Sequence, residues 1–156
     1  MKIMVREAHA QDLPLLRELF LASRQRTFTW LAVETFQLAD FDTLTRGEKL
    51  LVADTDGSGI AGFISVWEPN HFIHHLHVDA KHQGRGVGPA LLSALPGRPN
   101  QPYQLKCLQR NERALAFYLR HGFVRIGSGT AEDGEYVLLE LPSATHSLSP
   151  PERGFG

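Results

Sequence analysis

The apolar positions along the chain change period several times, and each change marks an element. Leu15, Leu16, Leu19 and Phe20 recur at helical spacing behind Asp12 and Pro14. That spacing predicts an amphipathic helix over residues 12–24, with Asp12 as N-cap and Pro14 in the first turn. A short strand over residues 2–6 precedes it. Two β-rich runs, 49–55 and 60–68, flank Asp56-Gly57-Ser58-Gly59, which reads as a hairpin turn. Pro69-Asn70 turns the chain into a strand over 72–78. A glycine-rich loop at 82–88 then leads to a short helix expected over 89–95, ended by Pro96, Gly97 and Pro99. A strand over 103–108 follows, then a helix running from an Asn111 cap to about His121, where Gly122 stops it. Residues 123–126 and 136–141 form a last hairpin with Asp133-Gly134 at its turn. Residues 25–46 keep no clear period, and a second helix over 33–45 is the expectation there.

This order of elements predicts one α/β (α+β) domain over residues 1–142, built on a central mixed, mostly antiparallel sheet. A chain of 156 residues can bury a core without disulfides or a metal. The tail from 143 to 156 carries Pro150-Pro151 and two glycines and reads as disordered. Sixteen Lys and Arg against seventeen Asp and Glu leave no obvious basic face, so a nucleic-acid partner is not expected. No apolar run reaches the length of a membrane span, and the first residues lack the apolar stretch of a signal peptide. The single cysteine, Cys107, forms no intrachain disulfide. By elimination the expected location is cytoplasmic.

Gln83-Gly84-Arg85-Gly86-Val87-Gly88 lies between a strand and a helix start. Glycines let backbone N–H groups approach a ligand closely, and a helix start offers unpaired N–H groups with partial positive charge. Such a loop suits a phosphate or pyrophosphate, and Arg85 adds a formal charge. A P-loop is excluded, because Pro89-Ala90 stands where Lys-Ser or Lys-Thr is required. A dinucleotide fingerprint fits poorly, because the spacing is G-x-G-x-G and the preceding strands look antiparallel. A plain tight turn that binds nothing is the competing reading.

Gln83-x-x-Gly86-x-Gly88, preceded by Leu76-His77-Val78, resembles the Q/R-x-x-G-x-G/A signature of the GNAT superfamily of N-acetyltransferases. Asn111 to Phe123 resembles the same family's N-x-x-A-x-x-F/Y-Y-x-x-x-G-F segment. Both blocks stand in the family's order and separation. The resemblance implies a sheet of about seven strands with helices on both faces and a splay between the fourth and fifth strands. It also implies acetyl-coenzyme A as co-substrate, bound by Leu76, His77, Val78, Gln83, Gly84, Arg85, Gly86, Val87, Gly88, Asn111 and Tyr118. Pro89 removes one backbone donor from that cradle. The implied reaction is acetyl transfer to a primary amine by direct attack in a ternary complex. A non-catalytic acyl-coenzyme A sensor of the same fold is the alternative. The acceptor is not named, and homodimerisation is left open.

Two side chains are the candidates for chemistry. The resemblance gives Tyr118 the role of proton donor to the departing thiolate; packing in the core is the competing reading. Asn111 contacts the cofactor's pantetheine arm or an ordered water in the family, and a plain helix cap is its alternative. Alternation along residues 72–78 puts Phe72, His74, Leu76 and Val78 on one face and Ile73, His75 and His77 on the other, unless a bulge intervenes. His74 is then a lone polar group among apolar neighbours, either a satisfied core histidine or, by resemblance, a general base, with His75 or a water relay as the alternative base. His75 and His77 could chelate a metal as an alternating pair, but nothing close in sequence completes a site, so no metal is expected. Cys107 as an acyl-accepting nucleophile lacks an obvious partner base.

Overall fold

The computed structural model describes residues 1–57 and 59–144. Its elements follow the expected order: β1 (Ile3–Glu7), α1 (Leu13–Thr27), α2 (Asp40–Leu44), β2 (Lys49–Thr55), β3 (Gly59–Trp67), β4 (Phe72–Val78), α3 (Val87–Ser93), β5 (Tyr103–Leu108), α4 (Glu112–Arg120), β6 (Val124–Ala131) and β7 (Gly134–Leu141). Of the tail expected to be disordered, residues 145–156 lie outside the described residues. The chain divides into two compact units, the first Met1–Ala94 and the second beginning at Leu95. Among the described residues no helix is long and apolar enough to cross a membrane.

Three expectations need correction. The second helix expected over 33–45 is only a short turn at Val33–Thr35 and the five-residue α2, because its apolar residues keep no helical period. Helix α3 begins at Val87, not at Pro89: Gly86, at φ 85°, makes the break, and Pro89 sits at the third helical position, where no intrahelical donor is needed. Asp12 does not cap α1 with its side chain. Its carboxylate accepts from the His9 N–H at 2.7 Å and pairs with Arg6 at 2.8 Å.

In the first unit, strands β1 to β4 pair antiparallel with their sequence neighbours. The interior of β3 is buried from Ile60 to Val66, so both of its faces are covered. On one face lies α1, whose buried Leu16, Leu19, Phe20 and Ser23 follow the i, i+3, i+4, i+7 spacing of an amphipathic helix. There Phe20, Phe41 and Phe63 meet edge to face, with ring centroids 5.4 to 6.0 Å apart. On the other face Gly62 opens room for α3. A Cβ at Gly62 would stand 2.7 Å from the His77 carbonyl oxygen and 3.1 Å from Val87 Cγ1.

In the second unit β7 pairs antiparallel with both β5 and β6. Tyr103, Leu105 and Cys107 of β5 stand opposite Leu141, Leu139 and Val137 of β7, and all six are buried. Helix α4 contacts β5.

Candidate active site

Strand β4 and the loop after it carry the first group of candidate residues. Leu76, His77 and Val78 pair with Ile64, Phe63 and Gly62 of β3. The His77 ring stacks on Phe63 and lies edge-on to Phe20, with Nδ1 2.7 Å from the Ser23 hydroxyl. Its side chain is therefore half-buried against α1, and desolvation lowers its pKa to about 3. The His77 side chain is thus engaged in packing against Phe63, Phe20 and Ser23. The Val78 carbonyl accepts from Gln83 Nε2 at 3.1 Å and from Arg26 at 3.2 Å. Gln83 thus ties the loop back onto the strand. Asp79 anchors the loop's start: its N–H donates to the Ala61 carbonyl at 2.7 Å, and its carboxylate meets buried His82 at 3.1 Å.

Beyond that anchor the loop is exposed from Gln83 to Gly86. Gly84 and Gly86 adopt φ of 73° and 85°, and a Cβ at either would meet nothing within 4 Å. Conformation rather than crowding therefore demands glycine here. Among the described residues none accepts from the N–H groups of Gly84, Arg85, Gly86, Val87 or Gly88. Five consecutive donors thus remain for a ligand or water.

The alternation expected for the histidines fails at one residue. The register steps from Ser65↔His75 to Val66↔Ile73, so His74 is the extra residue of a β-bulge. His74 is consequently no lone polar group among Phe72, Leu76 and Val78. Its Nδ1 contacts Glu48 Oε2, and Ser65 Oγ contacts Glu48 Oε1. The Glu48 side chain is 5% exposed and that of His74 41%. Ser65 is fully buried. Glu48 and Ser65 do not stand out in the sequence. Glu48 immediately precedes β2, 26 residues before His74, and no spacing rule joins them. His75 lies half-buried, 3.4 Å from the Leu44 carbonyl and edge-on to Phe20, and burial lowers its pKa.

The second group of candidates belongs to α4 and β5. Asn111 Oδ1 accepts from the Ala114 N–H at 3.3 Å, so Asn111 does cap α4. At the other end Gly122, at φ 98°, closes a double turn: the Phe123 N–H donates to the Tyr118 carbonyl at 3.0 Å and the Gly122 N–H to the Leu119 carbonyl at 3.4 Å. The Phe123 ring packs on Tyr118 at 5.1 Å, the apolar contact that accompanies this type of helix end. The Asn, Gly and Phe of the motif are thus the two caps of one helix, and they hold Tyr118 in place. The Tyr118 hydroxyl has no hydrogen-bond partner among the described residues. Desolvation and the neighbouring Cys107 raise its pKa, so it is a donor at neutral pH. Burial pushes the Cys107 thiol up to about 11, which makes it a poor nucleophile.

The sequence pattern of the Acetyltransferase (GNAT) domain family matches residues 46–125. Peptidyl-lysine N-acetyltransferase YiaC of Escherichia coli (strain K12) is 30% identical over 125 residues, covering 77% of this chain and 82% of that protein. Among solved structures, apo YjaB from Escherichia coli aligns with a TM-score of 0.74 at 23% identity, over 92% of this chain and all of that one. PaiA N-acetyltransferase from Thermoplasma acidophilum, in complex with coenzyme A, gives 0.71 at 17% identity over 91% of this chain and 99% of that one. The yncA structure from Salmonella typhimurium, which carries acetyl-coenzyme A, gives 0.64 at 18% identity over 98% of this chain and all of that one. These likenesses show that the chain has the fold of those proteins.

Proposed function

Because this chain belongs to the GNAT acetyltransferase family, whose co-substrate is acetyl-coenzyme A, we propose that it transfers the acetyl group to a primary amine by direct attack in a ternary complex. The observation that carries this reading is the Tyr118 hydroxyl: protonated, without a hydrogen-bond partner among the described residues, and on a helix capped at both ends. A cofactor sensor has no use for such a donor.

The residues fit the co-substrate. The five N–H groups from Gly84 to Gly88, unpaired among the described residues, with exposed Arg85 among them, suit the doubly charged pyrophosphate of coenzyme A. The backbone of Leu76, His77 and Val78, with Asn111, is assigned to the pantetheine arm. Thioester aminolysis expels coenzyme A as a thiolate; Tyr118 donates the proton that thiolate needs and is reprotonated by the second proton that the attacking nitrogen sheds as the amide forms. His74, its second ring nitrogen without a hydrogen-bond partner among the described residues, takes the proton that the amine must lose. The inert Cys107 thiol supports direct attack over an acyl-enzyme route. A cytoplasmic location fits a single reduced cysteine and is proposed with the activity.

Calorimetry with acetyl-coenzyme A, followed by thiol-release assays over an amine panel, tests the reading. A lysine-bearing peptide heads the panel because YiaC is a peptidyl-lysine N-acetyltransferase. Cofactor binding with release of thiol for at least one amine is the expected result. Binding without release for any amine makes the chain a sensor, and no binding overturns both readings.

A further inference from the structure

We propose that Glu48 is a positioning residue, one that fixes the tautomer and aim of His74 for abstraction of the acceptor's proton. This rests on the acetyl-transfer reading above. The Glu48 carboxylate is almost wholly enclosed, and each of its oxygens has a named partner, Ser65 Oγ on one and His74 Nδ1 on the other. A carboxylate only accepts, so the contact requires the ring proton on Nδ1. The lone pair then lies on Nε2, which has no hydrogen-bond partner among the described residues, on a ring that is 41% exposed. An inner carboxylate, an imidazole and an outward lone pair form the arrangement by which a base is held in one tautomer.

Three features make this more than the satisfaction of a buried acid. Ser65 Oγ holds the far oxygen, so the carboxylate cannot rotate away without losing a fully buried hydroxyl's partner. The bulge departs from the ladder at His74, the β4 residue whose ring contacts Glu48, and bulges re-aim side chains beside active sites. His75, with its ring centroid 6.2 Å from that of His74, is half-buried and turned against Phe20, so it does not compete for the role. In the step itself the Nε2 lone pair takes one proton from the acceptor's ammonium group. The Nδ1 proton stays in place, Glu48 remains a carboxylate beside the new imidazolium, and the Nε2 proton later passes to water.

Nitrogen-15 NMR of the full chain at neutral pH reads the tautomer without turnover. The expected wild-type His74 carries its proton on Nδ1, and Glu48→Ala moves it toward the mixed tautomers of an unrestrained imidazole. With the best amine of the panel, Glu48→Ala should lower kcat about 10- to 100-fold, part of what a general base supplies. The KM for acetyl-coenzyme A should not change. Adding Glu48→Ala to His74→Gln should cause no further loss, because the two act as one unit. An Nε2–H tautomer in the wild type, an unchanged tautomer in Glu48→Ala, or a full second loss in the double variant overturns the proposal. If Glu48→Ala does not fold, Glu48→Leu, which fills similar space and cannot accept from Nδ1, stands in for it, and the wild-type tautomer alone still decides. A wild type that binds acetyl-coenzyme A but acetylates no amine overturns the transfer reading instead. The NMR result then separates that failure from a missing Glu48–His74 couple.

Discussion

At the scale of single residues the site turns on protons, and burial decides which groups hold them. Tyr118 and Cys107 are both raised by desolvation, with opposite consequences. A tyrosine that keeps its proton remains a donor, whereas a thiol that keeps its proton is lost as a nucleophile. Tyr118→Phe preserves the ring contacts with Phe117 and Phe123 and removes only the hydroxyl. Turnover should fall about 10- to 1,000-fold, the range for loss of a general acid, while calorimetric affinity for acetyl-coenzyme A stays the same. Wild-type turnover in that variant would leave Tyr118 with packing alone. The motif identifies Tyr118 without help from the fold. It does not reveal that the hydroxyl lacks a hydrogen-bond partner among the described residues, because that depends on what packs around α4.

At the scale of elements, the Asn, Gly and Phe of the second motif turn out to be helix ends. Asn111 supplies the N-terminal cap and Gly122 the left-handed closing residue, and between them the helix can place Tyr118 in only one way. Gly122→Ala separates crowding from strain. The added Cβ would lie 3.6 Å from Leu141 Cδ1, an ordinary contact, so space is not the obstacle. The obstacle is φ 98°, and holding alanine in a left-handed conformation costs about 1–2 kcal/mol. An unfolding free energy from urea melts lowered by that amount, with a parallel fall in turnover as Tyr118 loses its seat, is the expected outcome. Unchanged stability would show that the closing turn does not depend on glycine. Both helix ends were legible from sequence because capping is local chemistry. The bulge in β4 was not legible, since it exists only relative to the register of β3.

At the scale of the whole molecule, stability is tied to histidines that fold in neutral form. His77 has a folded pKa of about 3 against an ordinary 6.5, and that of His75 is lowered as well. The unfolded chain therefore binds protons below pH ~6.5 that the folded chain refuses, and stability falls as pH drops through that window toward the folded value. Asp12 and Asp40 are held below the usual carboxylate value by Arg6 and by the Gln37 N–H respectively, and their contributions also vanish with acid, but only below about pH 5. Urea melts between pH ~7 and ~5 thus isolate the histidines. Wild type should lose about 1–2 kcal/mol there, and His77→Asn should lose distinctly less. Equal losses would mean that His77 protonates freely in the folded state. The chain by itself determined the order of its elements, the caps of α4, the glycine loop and the family, because periodicity, left-handed glycines and capping residues act within a few positions of each other. Only the tertiary structure decided which histidine packs against the aromatic core and which is presented. Ser23 meets His77 across 54 positions and Glu48 meets His74 across 26, and partnerships of that span arise from strand register and helix packing, which leave no local pattern to read.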